Sequence, residues 1–154
     1  MKTRLNNEVS IEYPESFMLM SAEELERYFS SSLRRSGAKE PKKNFIVSVS
    51  WTKRTEFPAS LFVNEKSCLN SCAARCRRTL EDFMQDGDIS KDHHAGRVSG
   101  FEYSYTSGGK PCHGAAAAIK LNGRIYLAEY RTDSFDRMYC NMAFNMVLSS
   151  IKAL

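Results

Sequence analysis

Apolar and polar residues alternate most clearly in the last third of the chain. Aromatic residues occupy every second position of 101–105, the pattern of a half-buried strand. Two further apolar runs, 115–121 and 124–130, are joined by Asn122-Gly123, the dipeptide typical of a two-residue β-hairpin. Beyond the second run the apolar period becomes that of a helix. We therefore predict three successive strands followed by a terminal helix.

The terminal helix is predicted to bury a broad apolar stripe. Its apolar positions recur at helical spacing over about twenty residues. We expect the following residues to face the core: Phe135, Met138, Tyr139, Met142, Ala143, Met146, Val147, Ser150, Ile151 and Leu154.

The first third of the chain predicts a strand, a helix and a second strand. A short strand over 9–13 ends at a proline, and the alternating segment 45–51 predicts a strand with one buried face. Between them Ser21 and Glu24 have the spacing of a reciprocal capping box, so a helix begins after Ser21. The basic segment 34–44 separates this helix from the second strand, and its polar composition predicts a loop.

A middle helix is predicted after a connector over 52–60 and a short extended piece at 61–63. Asn64 is expected to cap it, and Gly87 to end it. The polar segment 86–96 is predicted to be a loop. The core-facing stripe of this helix contains Leu69, Cys72, Ala73, Cys76, Leu80 and Phe83.

These elements predict one domain spanning residues 1–154, of the α+β class. Three helices and about six strands, joined mostly by hairpin-like links, favour an antiparallel sheet with helices on both faces, an α/β/α sandwich.

The order of elements and several local sequences resemble the PsbP-like fold family. This family includes the photosystem II extrinsic protein PsbP, Ran-binding Mog-type proteins and bacterial relatives of unknown function. The resemblance rests on Pro14-Glu15-Ser16-Phe17, the helix start at 20–25, the aromatic strand 101–105, the hairpin at Asn122-Gly123 and the final 149–152 segment. It implies an α/β/α sandwich and a binding or assembly role, with no shared catalytic residue.

The net charge of +4 is mild, but its distribution is uneven. Basic residues are concentrated in the 34–54 segment, where they can attract an acidic partner or phosphate. The candidates for partner binding are Arg34, Arg35, Lys39, Lys42 and Lys43. Trp51, next to Lys53 and Arg54, gives this segment a weak nucleic-acid-binding alternative, because aromatic and basic side chains together bind single strands. We expect Trp51 to be a core residue instead.

Five cysteines, an odd number, favour free thiols over a disulfide framework. Cys72 and Cys76 lie one helical turn apart, so they could begin a metal or thiol site completed by His93 and His94. The simpler interpretation is that both cysteines are small core residues of the middle helix. We predict no cofactor and no catalytic residue.

The sequence thus predicts a non-enzymatic binding domain whose partner is a protein. No apolar run approaches the ~20 residues of a membrane helix, and we predict no membrane association. The first residues lack the apolar core of a signal peptide, so we expect a cytoplasmic protein.

Overall fold

The computed structural model describes residues 1–54 and 64–154 of the chain. The predicted extended piece at 61–63 and most of the predicted 52–60 connector lie outside the described residues. The three helices are α1 (Ala22–Phe29), α2 (Glu65–Thr79) and α3 (Arg137–Ser150). The strands are β1 (Lys2–Arg4), β2 (Val9–Glu12), β3 (Met18–Leu19), β4 (Arg35–Glu40), β5 (Phe45–Trp51), β6 (Glu81–His93), β7 (Gly96–Ser107), β8 (Lys110–Leu121), β9 (Arg124–Thr132) and β10 (Lys152–Ala153).

The strands form two antiparallel sheets. A seven-stranded sheet has the order β3-β4-β5-β9-β8-β7-β6, and a three-stranded sheet has the order β1-β2-β10. Helices α1 and α2 cover one face of the large sheet. Helix α1 packs against Ile46, and α2 packs on the same face next to Phe101. Helix α3 and the small sheet cover the other face. The predicted α+β class, with helices on both faces of an antiparallel sheet, is confirmed.

Local signals placed several elements correctly. The capping box at Ser21 is complete, because the Ser21 hydroxyl accepts from Glu24 N and the Glu24 carboxylate accepts from Ser21 N. Asn64 Oδ1 accepts from Ser67 N at 2.8 Å and caps α2. Asn122 and Gly123 have φ of 53° and 73°, and Leu121 pairs with Arg124, so the predicted two-residue hairpin is present.

Two segments predicted as loops are strands instead. The segment 34–44 forms β4 and a short 3₁₀ helix at Pro41–Lys43. The segment 86–96 belongs to the long hairpin of β6 and β7, and the middle helix ends at Thr79 rather than at Gly87. Both strands escape prediction because their polar side chains conceal the alternation: β6 is an edge strand that is exposed along most of its length.

The stripe predicted for the terminal helix is only partly buried. The α3 residues that are buried against the hydrophobic core are Cys140, Ala143, Phe144, Val147 and Leu148. Met138, Met142 and Met146 are exposed by 83%, 63% and 46%, and Phe135 by 55%. Their predicted burial was wrong. Phe135 precedes α3. Each step of four residues advances only about 40° around a helix, so the three methionines share the side away from the sheet. In the described residues, no helix is long and apolar enough to span a bilayer.

Candidate functional site

A buried ion cluster lies between the large sheet and helices α1 and α2. Glu129, on β9, has no exposed surface. Its carboxylate accepts from Arg35 Nη1 at 2.9 Å and from Arg75 Nη2 at 2.7 Å, and Arg131 Nη2 lies 4.0 Å away. We call these four residues, Glu129, Arg35, Arg75 and Arg131, the Glu129 cluster.

Three different elements bring the Glu129 cluster together. Glu129 and Arg131 are two positions apart on β9, so both point to the face that carries α1 and α2. Arg35 reaches them from β4 and Arg75 from α2. The Phe29 ring of α1 also contacts the cluster, because the guanidinium carbons of Arg35 and Arg131 lie 5.2 Å and 5.1 Å from its centroid.

The electrostatics of the cluster favour a charged Glu129. Burial by itself raises the pKa of this carboxyl, but the neighbouring Arg35, Arg75 and Arg131 outweigh burial and lower the pKa to about 2. Three guanidinium groups face one carboxylate, so the cluster keeps an excess of positive charge. Two hydroxyl groups partly stabilise this positive charge: Arg131 Nε donates to Tyr103 Oη at 3.0 Å, and Arg35 Nη1 donates to Ser48 Oγ at 2.7 Å.

Cys72 and Cys76 of α2 adjoin this cluster. Cys72 Sγ donates to Glu129 Oε1 at 3.3 Å, and Arg131 Nη2 lies 3.7 Å from Cys76 Sγ. Both thiols are buried, as predicted for core residues of the helix. The neighbouring Cys72 thiol and the charge of Arg131 lower the pKa of Cys76 below that of a free thiol, although burial opposes this shift.

The ligand atoms of Cys72, Cys76 and Glu129 lie within 4.8 Å of one another. Among the described residues, this arrangement is the one place where three potential metal ligands converge. The charge around it opposes a dication, because three guanidinium groups already surround Glu129. The geometry is thus better suited to a hydrogen-bonded ion cluster than to a metal centre.

The two histidines named as further ligands lie on the other side of the sheet. His93 Nε2 is 3.0 Å from the carbonyl oxygen of Leu148, on α3, and the His94 ring lies 4.0 Å from that of His93, centroid to centroid. The set of Cys72, Cys76, His93 and His94 therefore does not come together, since α2 and α3 cover opposite faces.

A cavity of about 550 Å³ with mixed polar and apolar walls opens beside α1. Arg131 forms part of its wall, together with Arg27, Tyr105 and Cys112. Three of its charged groups are already engaged: Lys39 forms an ion pair with Glu24, and the Arg131 guanidinium donates to the Tyr28 carbonyl oxygen. The cavity thus offers few free charges to a ligand.

The basic segment does not form one charged surface. Arg35 is buried in the Glu129 cluster, which corrects its prediction as a partner-binding residue, and Lys39 pairs with Glu24. Arg54 Nη2 lies 2.9 Å from Glu8 Oε1.

The remaining partner-binding candidates lie at the ends of β4. Arg34 lies at the turn before β4, and Lys42 and Lys43 are exposed on the 3₁₀ helix. Trp51 is half-buried against the core, in agreement with the core role expected from its pattern.

The outer side of α3 is the most regular exposed apolar surface in the described residues. Met138, Met142 and Met146 recur at intervals of four residues, and each is at least 46% exposed. We call these three residues the α3 stripe. A second exposed apolar group, with Met18 and Leu19, lies on the two-residue edge strand β3.

Solved structures share this fold. The cyanobacterial PsbP protein CyanoP from Synechocystis sp. PCC 6803 is 13% identical, with a TM-score of 0.64 over 95% of this chain and 86% of that chain. LpqN of Mycobacterium tuberculosis, described as involved in cell envelope biogenesis, is 14% identical, with a TM-score of 0.57 over 94% of this chain and 82% of that chain. A Bacteroides thetaiotaomicron protein is 7% identical, with a TM-score of 0.62 over 95% of this chain and 45% of that chain.

No protein-family model and no curated protein matches the sequence. The structural neighbours establish that the chain has a PsbP-like fold, as the resemblance in its local sequences predicted. At identities of 13% and 14% they establish the fold alone, and function has to be argued from the surface and the buried groups of this chain.

Proposed function

We propose that this chain is a non-enzymatic binding domain that docks a partner protein on the α3 stripe. The observation that carries the proposal is the exposure of Met138, Met142 and Met146 along one side of a helix whose other side is fully engaged in the core. A contiguous apolar surface of this kind is costly in water and is typical of a protein contact. Methionine is well suited to it, because its flexible side chain adapts to different partner surfaces.

The fold gives this proposal a second support. CyanoP and LpqN share the architecture, and the sequence resemblance to PsbP-like proteins implies binding or assembly rather than catalysis. The Glu129 carboxylate is buried and surrounded by three guanidinium groups, which is the arrangement of a structural ion cluster.

The α3 stripe is preferred over β3 as the docking surface. Met18 and Leu19 form a two-residue edge strand, whose exposure gives a partner little regular surface. The α3 stripe extends over about two turns of one helix and presents its side chains at a repeating interval.

A paired affinity capture tests this function. The parent protein, Met142→Glu and Met84→Glu are each used as bait in extracts of the source organism, and the bound proteins are quantified. Met142 and Met84 are both 63% exposed, so the two variants add the same charge at equal exposure on different surfaces. We expect one or more proteins to bind the parent and Met84→Glu but not Met142→Glu. Equal capture by all three baits would contradict docking on α3.

A further inference from the structure

Cationic side chains flank the α3 stripe on both sides. Lys43 Nζ lies 5.2 Å from the ring centroid of Tyr139, and Lys91 Nζ donates to Asn145 Oδ1. Both lysines are exposed. They come from elements distant in sequence, the 3₁₀ helix and β6, so the fold assembles the basic border.

The acidic side chains near this basic border are absent from α3, already hydrogen-bonded, or directed to the opposite face of the sheet. Residues 137–150 contain no acidic side chain. The Asp136 carboxylate caps α3 by accepting from Tyr139 N at 3.1 Å, and Glu40 is buried and accepts from Lys42 N. On β6, Lys91 shares the α3 side with Ile89 and His93, while Asp92 points to the opposite face by strand alternation and pairs with Arg97.

We infer that the partner presents an acidic amphipathic helix, whose apolar side packs on the α3 stripe and whose carboxylates face Lys43 and Lys91. This inference rests on the proposed function and specifies the chemistry of the partner. Recognition of an amphipathic helix by an apolar surface is a recurrent mode of peptide binding. Complementary charges at the border raise the association rate and reject segments of the wrong sign.

The α3 stripe could instead be covered by a second copy of this chain or by a membrane, and the side chains around it argue against both. A second copy of this chain, packed helix to helix on α3, would bring one basic border against another, and like charges across a contact are unfavourable. A membrane surface would also attract the two lysines, but amphipathic membrane helices carry tryptophan, phenylalanine or leucine on the inserted side. The α3 stripe carries three methionines instead.

The probe is a synthetic amphipathic helix with a leucine stripe and glutamate on its flanks. A second peptide has lysine at every glutamate position. Binding of each to the whole chain is followed by amide chemical shifts in NMR spectra at low and moderate salt. We expect the glutamate peptide to shift the amides of α3, to bind more weakly as salt increases and to bind about tenfold more tightly than the lysine peptide, a difference of about 1.4 kcal/mol.

Charge reversal locates the border. The double variant Lys43→Glu, Lys91→Glu is expected to reduce affinity for the glutamate peptide about tenfold, because it removes two attractions and adds two repulsions. Lys66→Glu, on the exposed side of α2, is the matched control and is expected to leave the affinity unchanged. Unchanged affinity in the double variant would overturn the inference.

The outcomes separate this inference from the function beneath it. Equal binding of both peptides at α3 would keep the α3 stripe as a docking surface but overturn the acidic partner. Absence of shifts at α3 with either peptide would overturn both. Vesicles of phosphatidylglycerol provide the membrane arm: flotation of the parent with these vesicles, lost in Met142→Glu, would overturn a protein partner. Self-association through α3 in sedimentation would overturn it as well.

Discussion

The two faces of the seven-stranded sheet are built in different ways. The face under α3 is closed by apolar and aromatic packing, in which the Phe45 and Tyr130 rings stack at 5.0 Å and Phe144 lies 4.8 Å from Tyr130, centroid to centroid. The face under α1 and α2 encloses the Glu129 cluster beside two thiols.

The converging charges and the proposed docking surface therefore lie on opposite sides of the large sheet. The Glu129 cluster joins β4, β9 and α2 through one carboxylate that three guanidinium groups surround. The apolar face, which contains no such cluster among the described residues, carries the helix with an exposed apolar stripe on its outer side. We therefore assign stability to the ionic face and recognition to the outer side of α3.

The largest effect is expected from removing the charge at the centre of the ionic face. Glu129→Ala leaves three guanidinium groups without their carboxylate, and breaking a buried ion pair in this way costs about 3–5 kcal/mol of unfolding free energy. Urea denaturation measures the loss. Glu102→Ala, an exposed glutamate on β7, is the control and is expected to change stability by less than about 0.5 kcal/mol. Equal stability of the two variants would show that the cluster does not hold this face together.

The hairpin at Asn122-Gly123 supports both faces, because β8 and β9 carry side chains to each. Gly123 has a φ of 73°, so Gly123→Val places a β-branched residue in left-handed backbone at a cost of about 1–3 kcal/mol. Gly87→Val is the control, since a Cβ there meets only a Glu102 oxygen at 4.0 Å and the φ is not positive. If thermal unfolding of Gly123→Val matched the parent, the hairpin and the strand order built on it would be wrong.

The two faces should also respond differently to acid. The pKa of Glu129 is lowered from 4.5 to about 2, so the charged cluster contributes its full stability above pH 4.5 and loses it as the pH falls toward 2. In Arg75→Gln one guanidinium is missing, so the pKa of Glu129 in the folded protein should rise toward 4.5. The acid-induced loss below pH 4.5 should then be smaller and should end at a higher pH. Unfolding free energy measured between pH 2 and pH 6 tests this, with Arg78→Gln on the exposed side of α2 as the control. Identical pH profiles for the two variants would contradict the assignment.

The smallest effect on stability is expected from the outer side of α3. Met142→Glu alters a side chain that is 63% exposed and should change the unfolding free energy by no more than about 0.5 kcal/mol. Phe144→Ala, two positions away on the buried side, should cost about 3–5 kcal/mol. A large loss in Met142→Glu would mean that the α3 stripe is part of the core, and the proposed docking surface would fall with it.

Signals confined to a few neighbouring residues predicted the local structure well. Ser21 with Glu24, Asn64 and Asn122-Gly123 are each recognised from side chains within one turn, and the structure places each as expected. The PsbP-like fold followed from the order of such elements.

The Glu129 cluster could not be found in this way, because its members are far apart in sequence. Arg35 appeared to belong to a solvated basic loop, and only the pairing of β4 with β5 shows that it points inward. A signal was nevertheless present in β9: Glu129 and Arg131 fall on alternate positions of an otherwise apolar strand, where unpaired charges are costly.

The α3 stripe escaped prediction for a different reason. Helical spacing groups residues by side, but the apolar residues of this helix surround most of its circumference. Sequence alone therefore did not distinguish the side bearing Val147 from the side bearing Met142.

The central claim is that the outer side of α3 contacts a partner protein, and site-specific photo-crosslinking in the source organism tests it most directly. A photoreactive amino acid is introduced at position 142, and in a second strain at position 84, where the native methionine is equally exposed. We predict a discrete crosslinked protein from position 142 and none from position 84. Crosslinks to the same proteins from both positions, or from position 84 alone, would contradict the assignment of recognition to α3.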